Sequence, residues 1–118
     1  MTGIKLALGA LMLIGGASLA GASAADAAVL TAQNGMTLYT YDNDSGGKPT
    51  CNALCAIAWP PYLANGEKMG KGWTTVTRAN GSAQWAYDGK PVYFYSADSK
   101  KGDVKGNGVE GIWHDVSE

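Results

Sequence analysis

The chain repeats itself at an offset of 54 residues, the distance from Tyr39 to Tyr93. At this offset the segment "YTYDND" aligns with "YFYSAD" without a gap, and the alignment extends to a tryptophan in each half. The identical pairs include Tyr39 with Tyr93, Tyr41 with Tyr95, Asp44 with Asp98, and Trp59 with Trp113. Because a duplicated unit retains its structural residues first, the repeat predicts two related halves, at about residues 29–63 and 73–117.

Three dipeptides have the composition of tight hairpin turns, in which both central residues take positive φ. They lie between short runs rich in Val, Thr, Trp and Tyr, which favour β-strands. We therefore predict type I′ hairpins at Asn34-Gly35, Asn80-Gly81 and Asp88-Gly89. The predicted fold class is mostly β: a small antiparallel β domain from two sequence-related halves, with one short helical segment near the cysteines.

Residues 1–24 have the pattern of a secretory signal peptide, with one basic residue, Lys5, an apolar run and the small residues "ASA" at the end. The apolar run is shorter than the roughly 20 residues that span a bilayer. We predict cleavage before Ala25, which leaves a single exported β domain over residues 25–118. Ala22 stands where a lipoprotein signal carries its lipid-accepting cysteine, so we expect a soluble periplasmic or secreted protein without a lipid anchor or stable membrane anchor.

The charge of the exported part is close to neutral. Removal of Lys5 with the signal peptide reduces nine basic side chains to eight, against ten acidic ones. This balance gives no electrostatic reason to expect nucleic acid or an anionic membrane as a partner.

The two cysteines lie four residues apart, before a pair of prolines. We predict a short helix over residues 50–58, with Thr50 as its N-cap and Pro60 ending it. Cys51 and Cys55 then share one helical face, and an oxidising compartment favours a disulfide between them. A redox pair usually has two intervening residues, and haem attachment needs a histidine after the second cysteine, so these alternatives fit less well.

The repeated tyrosines and aspartates allow two interpretations. Tyrosines two residues apart on a strand share a face, and they either pack in an aromatic core or form a shallow aromatic surface with acidic rims. Such a surface would bind a carbohydrate, a peptide or another small envelope component. The candidate binding residues are Tyr39, Tyr41, Asp44, Tyr93, Tyr95 and Asp98.

Metal or cofactor binding has weaker signals, and we expect no cofactor. Asp42 and Asp44 resemble the start of a calcium loop, but the later bidentate glutamate is missing. His114, the only histidine, is predicted to be a surface residue beside a buried Trp113, and its alternative role is as a haem or copper ligand. Calcium, haem and copper therefore remain alternatives.

Catalysis is the least favoured class. A serine or cysteine nucleophile needs a positioned base, and the sequence has one histidine without a nucleophile motif near it. Asp44 and Asp98 form a possible carboxylate pair for glycoside cleavage, but nothing in the sequence places either in a protonating environment. We predict that the protein is not an enzyme.

The two halves resemble a family of exported bacterial proteins described as a secreted repeat of unknown function, with a Y-x-(F/W/Y)-x-x-D motif. Both "YTYDND" and "YFYSAD" satisfy this motif, and the resemblance covers nearly all of residues 29–117. It implies export but no established activity. The predicted function is a non-enzymatic cell-envelope binding or structural module, and the alternative is a metal- or haem-linked redox accessory protein.

Overall fold

The computed structural model describes residues 28–118, so the predicted signal peptide over residues 1–24 lies outside the described residues. Short strands connected by turns make up most of the regular structure. Strands β1 to β5 are Tyr39–Tyr41, Trp73–Thr77, Ala83–Tyr87, Lys90–Pro91 and Trp113–Asp115. Helix α1 is Leu54–Ala58, and a single 3₁₀ turn occupies Val109–Gly111.

The strands form two antiparallel sheets. Strand β1 pairs with β5, and β3 lies between β2 and β4. The residues of β2, "WTTVT", and the aromatic residues of β3 have the β-branched and aromatic side chains that pack well on a pleated surface. The mostly β, antiparallel fold class and the short helix beside the cysteines are confirmed.

Tyr39 and Tyr93 lie opposite each other at the centre of the fold. The Tyr39 N–H donates to the Tyr93 carbonyl at 2.8 Å, and the Tyr93 N–H donates to the Tyr39 carbonyl at 2.9 Å. This reciprocal pair marks an approximate twofold axis between the halves.

Each tyrosine segment also pairs with the tryptophan segment of the other half. On one side, Tyr41 faces Trp113 in the register of β1 and β5. On the other, the Phe94 N–H donates to the Pro60 carbonyl at 2.7 Å, and Ser96 donates to Ala58 at 2.9 Å. The two halves are therefore intertwined, with the central segment of one half paired to the flanking segment of the other.

Two hydrophobic clusters combine side chains from both halves. The first contains Leu30, Ala32, Leu38, Tyr62, Trp85 and Val92. The second, which surrounds the twofold axis, contains Tyr39, Cys51, Trp59, Tyr93 and Trp113. The predicted burial of Trp113 is confirmed, since only 2% of this residue is exposed.

The turn type was predicted correctly at one of the three dipeptides. Asp88 and Gly89 have φ of 55° and 82°, as a type I′ turn requires. Among the described residues, positive φ at a non-glycine residue is confined to Ala53, Asp88 and Glu110. At Asn34 and Asn80 the prediction is therefore wrong, and only the following glycine is left-handed, as in longer hairpin loops whose glycine forms a bulge.

The predicted start of the helix is also wrong. The helix begins at Leu54, after Ala53, and no side chain caps it. Thr50 lies four residues before the first helical residue and so does not act as the N-cap; its N–H and hydroxyl both donate to Asp44, at 2.8 Å. Cys51 precedes the helix, yet its Cα lies 5.2 Å from that of Cys55 and the two are joined by the predicted disulfide.

Candidate functional site

The Tyr39 hydroxyl lies in the core and binds an aspartate from the other half. It donates to Asp98 Oδ2 at 2.7 Å and accepts the Gly106 N–H at 3.1 Å. The second oxygen, Asp98 Oδ1, accepts the Lys105 N–H at 2.9 Å. Asp98 is buried, with 8% of the residue exposed, so this carboxylate is satisfied by protein donors in the interior.

Tyr93 makes the equivalent contact in the opposite direction. Its hydroxyl donates to Asp44 Oδ2 at 2.8 Å, and Asp44 Oδ1 accepts both donors of Thr50. Both oxygens of Asp44 therefore have partners within the protein. Each half supplies a tyrosine to the aspartate of the other half.

Burial raises the pKa of both central tyrosine hydroxyls above the ordinary value of 10.0. For Tyr39 the next cause is the hydrogen bond to Asp98, and for Tyr93 it is the negative charge of Asp44. The two hydroxyls are therefore held neutral, as donors to carboxylates that would repel a phenolate.

Tyr41 and Tyr95 are the outer members of a stack of four aromatic rings. The order is Tyr41, Trp113, Trp59 and Tyr95, with centroid separations of 4.2, 3.8 and 4.1 Å. The two indole rings at the centre are parallel within 1°, and both tryptophans are buried. The outer tyrosines are half-buried, so the predicted shared face of each tyrosine pair packs inward rather than forming a flat open surface.

An open cleft lies beside this core, between the loop that follows β1 and the turn that joins β3 to β4. Its main cavity has a volume of about 460 Å³. The residues that line it include Tyr41, Asp42, Gly47, Asp88, Gly89 and Lys90. We refer to this cavity as the open cleft.

A side cavity of about 320 Å³ continues the open cleft toward β5. The two share Thr40, Asp42, Asp88 and Lys90, and the side cavity adds His114 and Asp115. Counting Asp44, the linings contain four carboxylates and one lysine. Negative charge is therefore in excess here, which favours a cationic group over an anionic one.

His114 lies at the edge of the side cavity, where its Nε2 is 2.9 Å from Asp42 Oδ2. The side chains are 45% and 50% exposed, which agrees with the prediction that His114 is a surface residue. Asp44, the other metal candidate, is directed toward Tyr93. Within residues 28–118, no group of three or more His, Cys, Asp or Glu side chains is arranged to hold a metal ion.

The sequence prediction missed Gly47, Asp88, Gly89 and Lys90 as residues of a site. They carry no recognised motif, and the repeat directed attention to positions that are identical in the two halves. A signal was nevertheless present, because Asp42 aligns with Ser96 in the other half. Positions that differ at the 54-residue offset identify the open cleft better than positions that match.

Among residues 28–118, no helix has the length and apolar character needed to cross a bilayer. No curated protein and no solved structure matches the chain. One family model matches it twice, over residues 22–62 and 74–117, which correspond to the two halves. These two matches cover most of the chain, which therefore belongs to the family described as a secreted repeat of unknown function.

Proposed function

We propose that this protein is an exported, non-enzymatic binding module of the cell envelope, and that its ligand site is the open cleft. The proposal rests on one observation: the aspartates differ in whether their carboxylates are bonded within the fold. Both oxygens of Asp44 and of Asp98 accept hydrogen bonds within the fold, whereas Asp88 is exposed in the open cleft and takes part in no ion pair of residues 28–118. Most of the candidate binding residues are thus used by the fold, Tyr41 and Asp44 also line the open cleft, and Asp88 adds an exposed carboxylate there.

The charges of the open cleft support binding rather than a purely structural role. The ion pairs within residues 28–118 join Lys105 to Asp103 and His114 to Asp42. Neither Asp88 nor Lys90 takes part in them. Concave sites with a few unengaged polar groups and an aromatic wall are typical of small-ligand sites, and Tyr41 supplies such a wall here.

Export to the periplasm or the medium is part of the proposal. Membership in a family of secreted repeats and the disulfide both support it. Ala22, in the position of a lipid-accepting cysteine, supports a soluble form over a lipid-anchored one.

Amide NMR spectra of the isotope-labelled protein, purified after export, would test the proposed site. The probes are soluble peptidoglycan fragments, neutral oligosaccharides, and short basic and neutral peptides. We expect at least one probe to shift the resonances of Gly46, Gly47 and Gly89 in a saturable way. Shifts that cluster elsewhere, or spectra that no probe changes, would contradict the proposal.

A pair of variants tests the same point independently. Asp88→Asn with Lys90→Ala removes two charged groups from the open cleft, and Glu110→Gln with Lys100→Ala removes the same two charges from elsewhere on the surface. The first variant should weaken binding of the active probe, and the second should not.

The alternative function, a metal- or haem-linked redox accessory protein, has one feature in its favour. His114 and Asp42 together offer an imidazole nitrogen and a carboxylate oxygen at the protein surface. Absorbance spectra with added haem or copper would test it. The same spectral change in the wild type and in His114→Ala would count against this alternative.

A further inference from the structure

We infer that the open cleft binds a linear alkylammonium group, such as a lysine side chain or a diamine. This inference rests on the proposed function, since it names the ligand class of the same site. It comes from the twofold relation of the halves, which provides an internal comparison for the open cleft.

The twofold relation gives the open cleft an equivalent site, which combines Gly35 of the first half with Lys101 of the second and is covered by the protein itself. Gly35 is the turn residue that aligns with Gly89 at the offset of 54 residues. The aliphatic chain of Lys101 lies across Gly35, so closely that a Cβ added there would be 2.8 to 2.9 Å from three of its carbons. A lysine side chain thus covers this turn.

In the open cleft, which combines Gly47 of the first half with Gly89 of the second, the same place is vacant. Lys101 aligns with Gly47, which has no side chain. A Cβ added at Gly89 would meet no atom within 4 Å, and the cavity of about 460 Å³ opens there. The space that Lys101 covers in the equivalent site is therefore available to an external ligand in the open cleft.

The charged residues of the two sites differ in the way that binding of an external ammonium group requires. Asp42 aligns with Ser96, and Asp88 aligns with Asn34. The site that contains Lys101 has neutral residues at both positions, Ser96 and Asn34, whereas the open cleft has a carboxylate at both. Tyr41 lines the same cavity and offers apolar surface to a methylene chain.

The backbone conformation of the loop after β1 prevents it from covering the open cleft as the loop at Lys101 covers the equivalent site. Gly46 and Gly47 have φ of 61° and 76°, a left-handed region that costs other residues about 1 to 2 kcal/mol each. Their counterparts, Lys100 and Lys101, do not have positive φ. The open cleft is therefore a property of the loop conformation, not of one side-chain rotamer.

The test is an amide NMR titration of the exported protein with three probes of similar length. These are 1,5-diaminopentane, the neutral 1,5-pentanediol, and the peptide acetyl-Gly-Lys-Gly-amide. We expect saturable shifts at Gly46, Gly47 and Gly89 with at least one of the two ammonium probes and none with the diol. Binding of the peptide alone would assign the natural group to a lysine side chain, and binding of the diamine alone would assign it to a free diamine.

Matched variants test the role of charge. Asp42→Ser with Asp88→Asn gives the open cleft the polar residues of the equivalent site, and we expect it to weaken binding at least about tenfold. Glu110→Gln with Glu118→Gln removes the same total charge outside the open cleft, and its affinity should stay within about twofold. Asp88→Asn alone keeps the His114 contact and serves if the double variant folds poorly.

Four results would overturn the inference. Equal binding of the diol, or undiminished binding by a folded Asp42→Ser and Asp88→Asn variant, would exclude recognition of the ammonium. Shifts at the open cleft with a neutral saccharide and none with either ammonium probe would overturn this inference alone and leave the proposed function standing. No response to any probe would overturn both.

Discussion

Two hydroxyl-to-carboxylate contacts connect the halves at their centre. Tyr39 donates to Asp98 and Tyr93 donates to Asp44, at 2.7 and 2.8 Å. A buried carboxylate without its donor retains a desolvation penalty of about 1 to 3 kcal/mol. These contacts therefore contribute more to stability than exposed hydrogen bonds of the same length.

Removal of one hydroxyl should expose this contribution. We expect Tyr39→Phe to lower the free energy of unfolding by about 2 kcal/mol, since Asp98 Oδ2 then loses its donor in the interior. Tyr41→Phe is the matched control, because the Tyr41 hydroxyl accepts only an exposed contact from Asn43, and it should cost less than about 0.5 kcal/mol. Urea unfolding measures both, and equal costs would show that the buried pair has no special role.

The raised pKa values of Tyr39 and Tyr93 predict a loss of stability at alkaline pH. Below the unfolded-state value of about 10, the hydroxyls are neutral in both states and stability is unaffected. Above it, the unfolded chain releases protons that the folded state retains, so the free energy of unfolding falls as pH rises. Circular dichroism recorded together with phenolate absorbance should show these tyrosines ionising only as the protein unfolds. A Tyr39→Phe, Tyr93→Phe double variant should show a weaker dependence of the free energy of unfolding on pH.

The sequence identified these residues but not their partners. The 54-residue offset places Tyr39 and Asp44 in one half and Tyr93 and Asp98 in the other. This assignment is the same whether the contacts form within a half or between the halves. Only the strand pairing, in which Tyr39 and Tyr93 exchange backbone hydrogen bonds, determines that the contacts cross. The sequence repeat alone does not show which strands pair.

Among the structural elements, the aromatic stack depends on the close approach of a loop. Gly106 is buried, and a Cβ added there would be 2.8 Å from Trp59 Cη2 and 3.0 Å from Tyr39 Cε2. The position lacks positive φ, so steric contact alone requires a glycine. The loop can therefore lie against the edge of the Trp59 ring only without a side chain.

We expect Gly106→Ala to lower the free energy of unfolding by about 1 to 3 kcal/mol through overpacking against Trp59. Gly70→Ala is the control, because a Cβ there meets no atom within 4 Å. That change should be neutral or should stabilise the protein by up to about 1 kcal/mol, through the lower entropy of the unfolded chain. Thermal unfolding compares the two, and a Gly106→Ala variant as stable as Gly70→Ala would contradict the packing argument.

The errors at the element scale share one physical cause. Thr50 was predicted to cap the helix, but Asp44 accepts its donors instead. Asn34 accepts the Met36 N–H through its side chain, which stabilises a turn without positive φ at the asparagine. Local propensity correctly located the turn and the helix, and competing hydrogen-bond partners determined their detailed geometry.

At the scale of the whole molecule, neither half has a complete set of partners. Strand β1 pairs with β5 across the halves, and both core clusters draw residues from each half. The segment at residues 64–72, which lies between the two predicted halves, contains the exposed Gly70 and Lys71. A break between these two residues separates the halves without cutting a strand.

Fragments 25–70 and 71–118 should each be unfolded when alone, and an equimolar mixture should recover the circular dichroism of the intact protein. The reason is that each fragment leaves a tyrosine hydroxyl, an aspartate and a strand edge unpartnered. A scrambled version of either fragment serves as the control for nonspecific association. Independent folding of one fragment as a monomer would contradict the intertwined arrangement.

Most of the architecture was predictable from sequence, and the open cleft was not. Alternating apolar residues and turn dipeptides determine a β fold because they act over a few residues. The cleft joins the loop after β1 to a turn more than 40 residues later in the chain, and its space depends on the absence of side chains at Gly47 and Gly89. A cavity that exists because side chains are missing is not evident from the sequence until the two halves are compared.

The crossed tyrosine–aspartate contacts also bear on the origin of the chain. A single repeat with one such tyrosine and one such aspartate would satisfy both contacts only as a symmetric homodimer, in which each subunit donates to the other. The present chain corresponds to that dimer joined by a linker. Identical subunits must have identical surfaces, whereas a fused pair can change one copy at a time. Fusion would thus have allowed one cleft to be filled by a lysine while its counterpart stayed open.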